Sequence, residues 1–207
     1  EQKTAAEAML AHETGVLAAA TAFGKTVVAA WLIAQRGVNS LVLVHRRQLL
    51  DQWTEQLGAC FGIPAKSIGR IGGGRSRPTG LVDVATIQSL VRKGVVDDRV
   101  GEYGHLIVDE CHHVSAHSFE RVAREAKARF VVGLSATVGR KDGHHPIVFM
   151  QCGPVRHRVN ARTAAARRPF EHLVLVKPTA FQPARSPESD KRVEFQTLYQ
   201  ELVDDEI

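Results

Sequence analysis

The sequence predicts an α/β fold of three layers, with a central, mainly parallel sheet and helices on both faces. Apolar strand-like runs alternate with helical segments from residue 15 to about residue 135, the order that parallel strands joined by crossover helices require. The runs Leu41–Val44 and Leu106–Val108 are apolar at every position, as in strands covered on both sides. With 207 residues, 44% of them hydrophobic and 24% charged, the chain is long enough and apolar enough to bury a real core.

Residues 3–13 read as a helix with Ala6, Met9 and Leu10 on one face. The apolar run 15–20 is a buried strand between Gly15 and Thr21. Residues 25–35 form a helix that is apolar on most sides, and Gly37 stops it. Strand 41–44 leads to a helix over 46–57 with Leu49, Leu50, Trp53 and Leu57 on one side. A short strand at 68–71 precedes a loop at 72–80 (GGGRSRPTG), a strand at 81–85 and a helical stretch at 86–92. Strand 106–108 runs into Asp109-Glu110, and a helix at 118–127 precedes a strand at 130–134. Beyond residue 137 the alternation weakens. Residues 139–146 are loop-like, 147–151 fit either a strand or a short helix, and 171–176 fit a strand. Residues 177–190 hold three prolines and read as a linker, before a charged helix at 193–204. The expected division is one domain over 1–160 and an extension with linker over 161–207.

Composition narrows the function. Three scattered cysteines (Cys60, Cys111, Cys152) do not make a disulfide scaffold and suit a reducing compartment. No run of 18 apolar residues is present and the N-terminus has no secretory apolar core, so a cytoplasmic protein with no membrane partner is expected. The chain lacks a starting Met and reads as a piece of something longer. The net charge is +5 and Arg outnumbers Lys 19 to 8. Forked guanidinium groups suit phosphate, so a nucleic-acid partner is permitted though not required.

Three motifs carry chemistry. The first is Ala20-Thr-Ala-Phe-Gly-Lys-Thr26, between a strand and a helix. A loop there presents backbone N–H groups to a triphosphate and the helix aims its positive end at the anion. Lys25 suits the β- and γ-phosphates and the Thr26 hydroxyl a magnesium ion, with Thr21, Ala22, Phe23 and Gly24 forming the wall. Ala19 stands where G-x-x-x-x-G-K-[ST] has its first glycine. The second is Leu106-Ile-Val-Asp-Glu-Cys-His112, two acids at a strand end where parallel sheets bind ligands. Asp109 is assigned to the metal and Glu110 to the attacking water. The third is Ser135-Ala-Thr137, at another strand end, whose hydroxyls could reach His112 or the acids.

In this order the motifs resemble the first RecA-like domain of a superfamily 2 helicase or translocase of the broad DEAD/DEAH group, with a DECH box. The resemblance covers about residues 2–160. It includes Val44-His-Arg-Arg-Gln-Leu-Leu50 as motif Ia and Thr86-Ile-Gln-Ser-Leu90 as motif Ib. Residues 135–159 are most similar to motor subunits of type III restriction enzymes and to DECH/DEVH repair helicases. The resemblance implies a P-loop NTPase fold and ATP with Mg2+ as cofactors. It implies Lys25, Asp109 and Glu110 as catalytic residues, with Thr26 and Asp109 at the metal. His112, Ser135 and Thr137 would couple hydrolysis to movement, and Gln2 would read adenine. Nucleic acid, DNA before RNA, is the implied partner, held by its phosphates at Arg46, Arg47, Arg75, Thr86 and Gln88.

Three departures stand out. Ala22 replaces a glycine, which is tolerable only if φ there is negative. Val138 replaces the proline usual after SAT. No QxxGRxxR-like motif occurs, so the transition-state arginine is expected from a second RecA-like domain of the same polypeptide. Such a finger contributes about a thousandfold or more, so these 207 residues alone should hydrolyse ATP poorly.

Other readings compete. A nucleic-acid or protein interaction module with a degenerate nucleotide pocket draws its support from Ala22. A small-molecule kinase is disfavoured by the DECH and SAT pair. His113 and His117 have zinc-like spacing but no C-x₂₋₄-C pair accompanies them, so no zinc site is expected. The arginines at 156, 158, 162, 167 and 168 suit a solvated face or a contact to a further domain.

Overall fold

The computed structural model describes residues 1–111, 116–136 and 145–159. All lie in the first of two compact units, Glu1–Arg168 and Pro169–Ile207. The strand at 171–176, the linker and the terminal helix expected from the sequence lie outside the described residues.

Ten strands and six helices follow in chain order among the described residues. Helix α1 (Gln2–Leu10) leads to β1 (Thr14–Ala18), α2 (Lys25–Arg36), β2 (Ser40–Val44) and α3 (Arg47–Phe61). Then come β3 (Gly69–Gly72), β4 (Arg75–Arg77), β5 (Val82–Thr86), the single turn α4 (Ile87–Leu90) and the small pair β6 (Val91–Arg92) and β7 (Val95–Val96). Strand β8 (His105–Val108), α5 (Ala116–Glu125), β9 (Phe130–Ser135), α6 (His145–Cys152) and β10 (Val155–Arg158) are the last of the described elements. Eight strands form one sheet in the order β10-β1-β9-β8-β2-β5-β3-β4, parallel except for β3–β4.

Strand β2 shows why the sheet is central. All five of its residues are buried, and successive side chains point to opposite faces. Val42 and Val44 join the core beneath α1, α2 and α3, with Leu32 and Trp53. Leu41 and Leu43 join the core on the other face, with Tyr103, Phe119 and Val122. Both faces are therefore dry, which gives the three layers. Leu41 is fully buried, so Leu41→Ala would cost about 2–5 kcal/mol. Helix α2 ends at Gly37, whose φ of 61° is the left-handed cap expected of a glycine there.

The sequence reading departs from the structure in several places, among them β10, an edge strand in a stretch read only as arginine-rich. The expected loop 72–80 contains a strand, because Arg75–Arg77 turns back antiparallel on β3. Helix 86–92 shortens to one turn, since Val91–Arg92 pairs with Val95–Val96 through the Lys93-Gly94 turn. The ambiguous stretch 147–151 is helical, inside α6.

Candidate functional site

Strands β1 and β8 are separated in the sheet by β9, and all three run the same way. Their C-terminal ends therefore emerge at one edge, and the loops after β1 and β8 come together there. Lys25 begins α2, and its ammonium donates to Glu110 Oε1 at 3.0 Å and to the Ala19 carbonyl at 3.4 Å. The glycine-lysine-threonine turn and the acidic pair thus meet in space, as the motif argument requires.

The loop after β1 is shaped by a reverse turn. Phe23 N–H donates to the Ala20 carbonyl at 3.2 Å, which puts Ala22 at the position that needs a positive φ in a type II turn. The structure holds Ala22 at φ 66°. The negative φ expected for an alanine is overturned, because the turn and not the side chain sets the backbone here. Gly24, at φ 91°, caps α2 without any side-chain hydrogen bond, and the first turn of α2 contains no acid. An uncapped, acid-free helix start leaves N–H donors and a positive dipole end for an anion. Gln2 closes the loop from α1, donating its amide to the Phe23 carbonyl at 2.7 Å. A Cβ on Gly24 would collide with that amide.

Asp109 is 6% exposed. Its Oδ2 accepts from the Trp53 indole at 2.7 Å and its Oδ1 from Glu110 N–H at 3.0 Å. Burial pushes its carboxyl above the ordinary range and the neighbouring Glu110 charge adds to this, while the Trp53 N–H opposes it. Glu110 takes φ 46°, a second left-handed residue at the site. Its Oε2 accepts from Ala136 N–H at 3.4 Å, so the Ser135-Ala-Thr137 motif reaches the acids through backbone. Ser135 itself is buried. Thr137 and His112 lie outside the described residues, as do His113 and the side chain of His117. Burial raises the Cys111 thiol to about 12, so it is not a thiolate at neutral pH. Among the described residues no group of three or more His, Cys, Asp or Glu could hold a metal ion by itself.

A cavity of about 510 Å³ is lined by Thr21, Ala22, Gly24, Lys25 and Thr26 together with Trp53, Asp109 and Glu110. A second, of about 480 Å³, shares Thr21, Leu49 and Glu110 with it and adds His45, Arg46 and Ala136. A third, of about 490 Å³, lies between α3 and the β3–β4 hairpin and is lined by Asp51, Glu55, Lys66, Arg70 and Arg77. It holds none of the motif residues.

The residues assigned to a nucleic acid divide. Arg46 and Arg47 are exposed at the start of α3. Gln88 is exposed and donates to the His45 carbonyl at 3.3 Å. Arg75 lies on β4, but its side chain is outside the described set. Thr86 is buried and its hydroxyl is bonded to Ser89 Oγ at 2.6 Å, so it supports the fold and is not a surface contact. The residues Gly72, Gly73 and Gly74 have φ of 135°, 66° and 82°. A Cβ on Gly72 would meet Thr86 Oγ1 at 2.6 Å, and one on Gly73 would meet Arg47 Nε at 2.9 Å and Arg70 Nη2 at 3.1 Å. The triple glycine therefore lets the hairpin sit on Thr86 with two guanidinium groups over its turn. Arg70, which also pairs with Asp51, was not among the sequence candidates. Trp53 was read as a core residue only, since an apolar stripe does not reveal where an indole N–H points.

Among the described residues no helix is long and apolar enough to cross a membrane. The family model described as "Type III restriction enzyme, res subunit" matches residues 1–140. A putative ATP-dependent RNA helicase L396 from Acanthamoeba polyphaga mimivirus is 29% identical over 143 residues, 69% of this chain and 27% of that protein. A DNA 3'-5' helicase XPB from Mycobacterium tuberculosis is 32% identical over 169 residues, 75% of this chain and 29% of the relative. The crystal structure of UvsW from T4 superposes with a TM-score of 0.65 at 22% identity, over 77% of this chain and 34% of UvsW. The chain spans less than a third of the length of these two curated relatives.

Proposed function

The chain belongs to the family of the type III restriction enzyme res subunit, and from that membership we propose that it is the ATP-binding motor domain of a nucleic-acid helicase or translocase. The single observation that carries this reading is the 3.0 Å contact between Lys25 Nζ and Glu110 Oε1, made across the ends of β1 and β8. An ammonium suited to neutralising phosphate and a carboxylate suited to positioning water therefore line one cavity.

The chemistry of the donor set fits a magnesium nucleotide. The uncapped start of α2 and the Lys25 ammonium suit phosphate, and Thr26 and Asp109 line the same cavity as oxygen ligands of the type magnesium takes. When bound, the metal would neutralise charge on the phosphate oxygens. Lys25 leaves Glu110 to neutralise the β- and γ-phosphates. Glu110, freed from Lys25, orients water. Gln2, tied to the loop at Phe23, is the adenine-side residue. His112, Ser135 and Thr137 connect the nucleotide edge to the neighbouring surface. A second RecA-like domain of the same polypeptide would supply the transition-state arginine, beyond residues 1–160 and the linker-bearing extension 161–207.

The nucleic acid would lie along Arg46, Arg47 and the Gly72–Gly74 turn, with Arg75 and Gln88 beside it. Contacts of this kind read phosphate and not base. DNA is favoured over RNA because the relative of higher identity is named a DNA helicase, although the other is named an RNA helicase. A cytoplasmic location is part of the proposal, supported by three cysteines that form no disulfide.

The test is equilibrium titration of ADP or a slowly hydrolysed ATP analogue, with and without Mg2+. Binding should depend on Mg2+ and weaken at least about tenfold in Lys25→Ala, measured under conditions where circular dichroism shows the variant folded. Equal affinity in wild type and K25A, or no binding in the wild type, overturns the reading.

A further inference from the structure

We propose that Trp53 is a positioning residue that fixes the carboxylate of Asp109 for the metal nucleotide, an inference that rests on the nucleotide-site reading above. Trp53 lies in α3, 3% exposed, and packs into the core under that helix. Its indole N–H leaves the apolar packing to reach Asp109 Oδ2 at 2.7 Å. The other oxygen, Oδ1, accepts from Glu110 N–H at 3.0 Å. One donor on each oxygen fixes the plane of the carboxylate. Each oxygen accepts more than one hydrogen bond or ligand, so both keep a free lone pair. Trp53, Thr26 and Asp109 all line one cavity, so the fixed carboxylate borders the space a phosphate-bound cation would take.

The choice of side chain matters. An arginine or lysine in place of Trp53 would hold Asp109 by charge and so compete with a cation for it. An indole is a donor only, carries no net charge and is rigid. It orients the carboxylate without neutralising it. Phenylalanine would fill much of the same apolar volume and lack the polar handle. Partners of this kind, one step removed from a metal, typically change metal affinity about 10–100-fold when removed.

Two measurements test the assignment. The first is calorimetric titration of ADP at a series of Mg2+ concentrations, comparing wild type with Trp53→Phe. The expected result is an increase of about tenfold in the Mg2+ concentration at half-maximal binding, with the affinity for ADP in EDTA within about twofold of wild type. A folded W53F protein with the wild-type Mg2+ midpoint overturns the proposal. So does a loss of affinity that is equal with and without Mg2+, which is the signature of general packing damage. The second uses Trp31→Phe, which leaves Trp53 the only indole, since the chain has two tryptophans. Emission from Trp53 should change on adding Mg–ADP and not on adding ADP in EDTA. Emission that ignores Mg–ADP overturns the proposal, and this arm decides even if W53F does not fold. A wild-type chain without any Mg2+-dependent ADP binding would overturn the nucleotide reading itself, and this inference with it.

Discussion

Ala22→Gly should stabilise the chain, although glycine usually weakens a fold. Ala22 sits at φ 66° because the Ala20–Phe23 hydrogen bond closes a turn around it. An L-residue with a Cβ pays about 1–2 kcal/mol for the left-handed region, and glycine does not. Against this, glycine has more freedom to lose on folding, about 0.5–1 kcal/mol. The difference is a net stabilisation of about 0.5–1 kcal/mol, or a rise of about 1–4 °C in Tm for a chain of this size. Differential scanning calorimetry and urea unfolding would measure it. Ala20→Gly is the internal control, because Ala20 is not among the residues with positive φ. It should lose about 0.5–1 kcal/mol. A22G and A20G must shift Tm in opposite directions. If A22G is no more stable than wild type, the loop does not hold the strained turn and the argument from backbone shape fails.

Three further predictions follow from the geometry. Lys25 and Glu110 are 11% and 23% exposed, so a nucleotide must displace a largely buried ion pair to reach Lys25. Glu110→Gln should therefore tighten Mg-nucleotide binding up to about fivefold while lowering turnover at least about a hundredfold, as read by calorimetry and phosphate release in the full-length protein; weaker binding would contradict the assigned competition. Arg47→Glu should lower the log–log salt slope of single-strand binding by about 0.7 or more, and an unchanged slope in a salt titration would remove Arg47 from the interface. His105 is fully buried, and burial with the neighbouring Arg36 charge holds its pKa at about 3, against 6.5 unfolded. The unfolded chain takes this proton first as pH falls, so stability drops below pH 6.5 by about 1.4 kcal/mol per unit, about 2 kcal/mol between pH 7 and pH 5. His105→Gln keeps an acceptor for Arg36, 2.7 Å from His105 Nε2, and its urea midpoint should fall less over that range; a midpoint that falls as far as wild type would refute the buried neutral histidine.

The parts of the fold that the sequence revealed are those written in periodicity. Val42 and Val44 against Leu41 and Leu43 belong to a short, branched, wholly apolar run bounded by breakers, which suits a strand covered on both faces. The missed elements have no such signature. Strand β4 is Arg-Ser-Arg, with no apolar face to announce it, and it forms because the glycines before it can turn the chain back on β3. The β6–β7 pair has two residues in each strand, too few for alternation to register against the helical pattern of 86–92.

The site divides along the same line. Lys25, Asp109 and Glu110 were legible because a helix start and a strand end place their backbone, and the sheet order then brings the two ends together. What was not legible depends on where a long side chain goes after it leaves the backbone. Trp53 has the spacing of a core residue and is one, yet its N–H is committed to Asp109. Thr86 has the place of a surface contact, yet its hydroxyl is committed to Ser89 beneath the glycine turn. Helix α3 carries both kinds of information: Arg47 at its first turn lies over Gly73, and Trp53, six residues or about 9 Å along the axis, holds the acid at the sheet edge. Motif spacing locates each end of that helix separately. That one rigid element touches both the glycine-arginine turn and the buried carboxylate follows only from the packing of α3 on β2 and β5, which three-dimensional structure alone reveals.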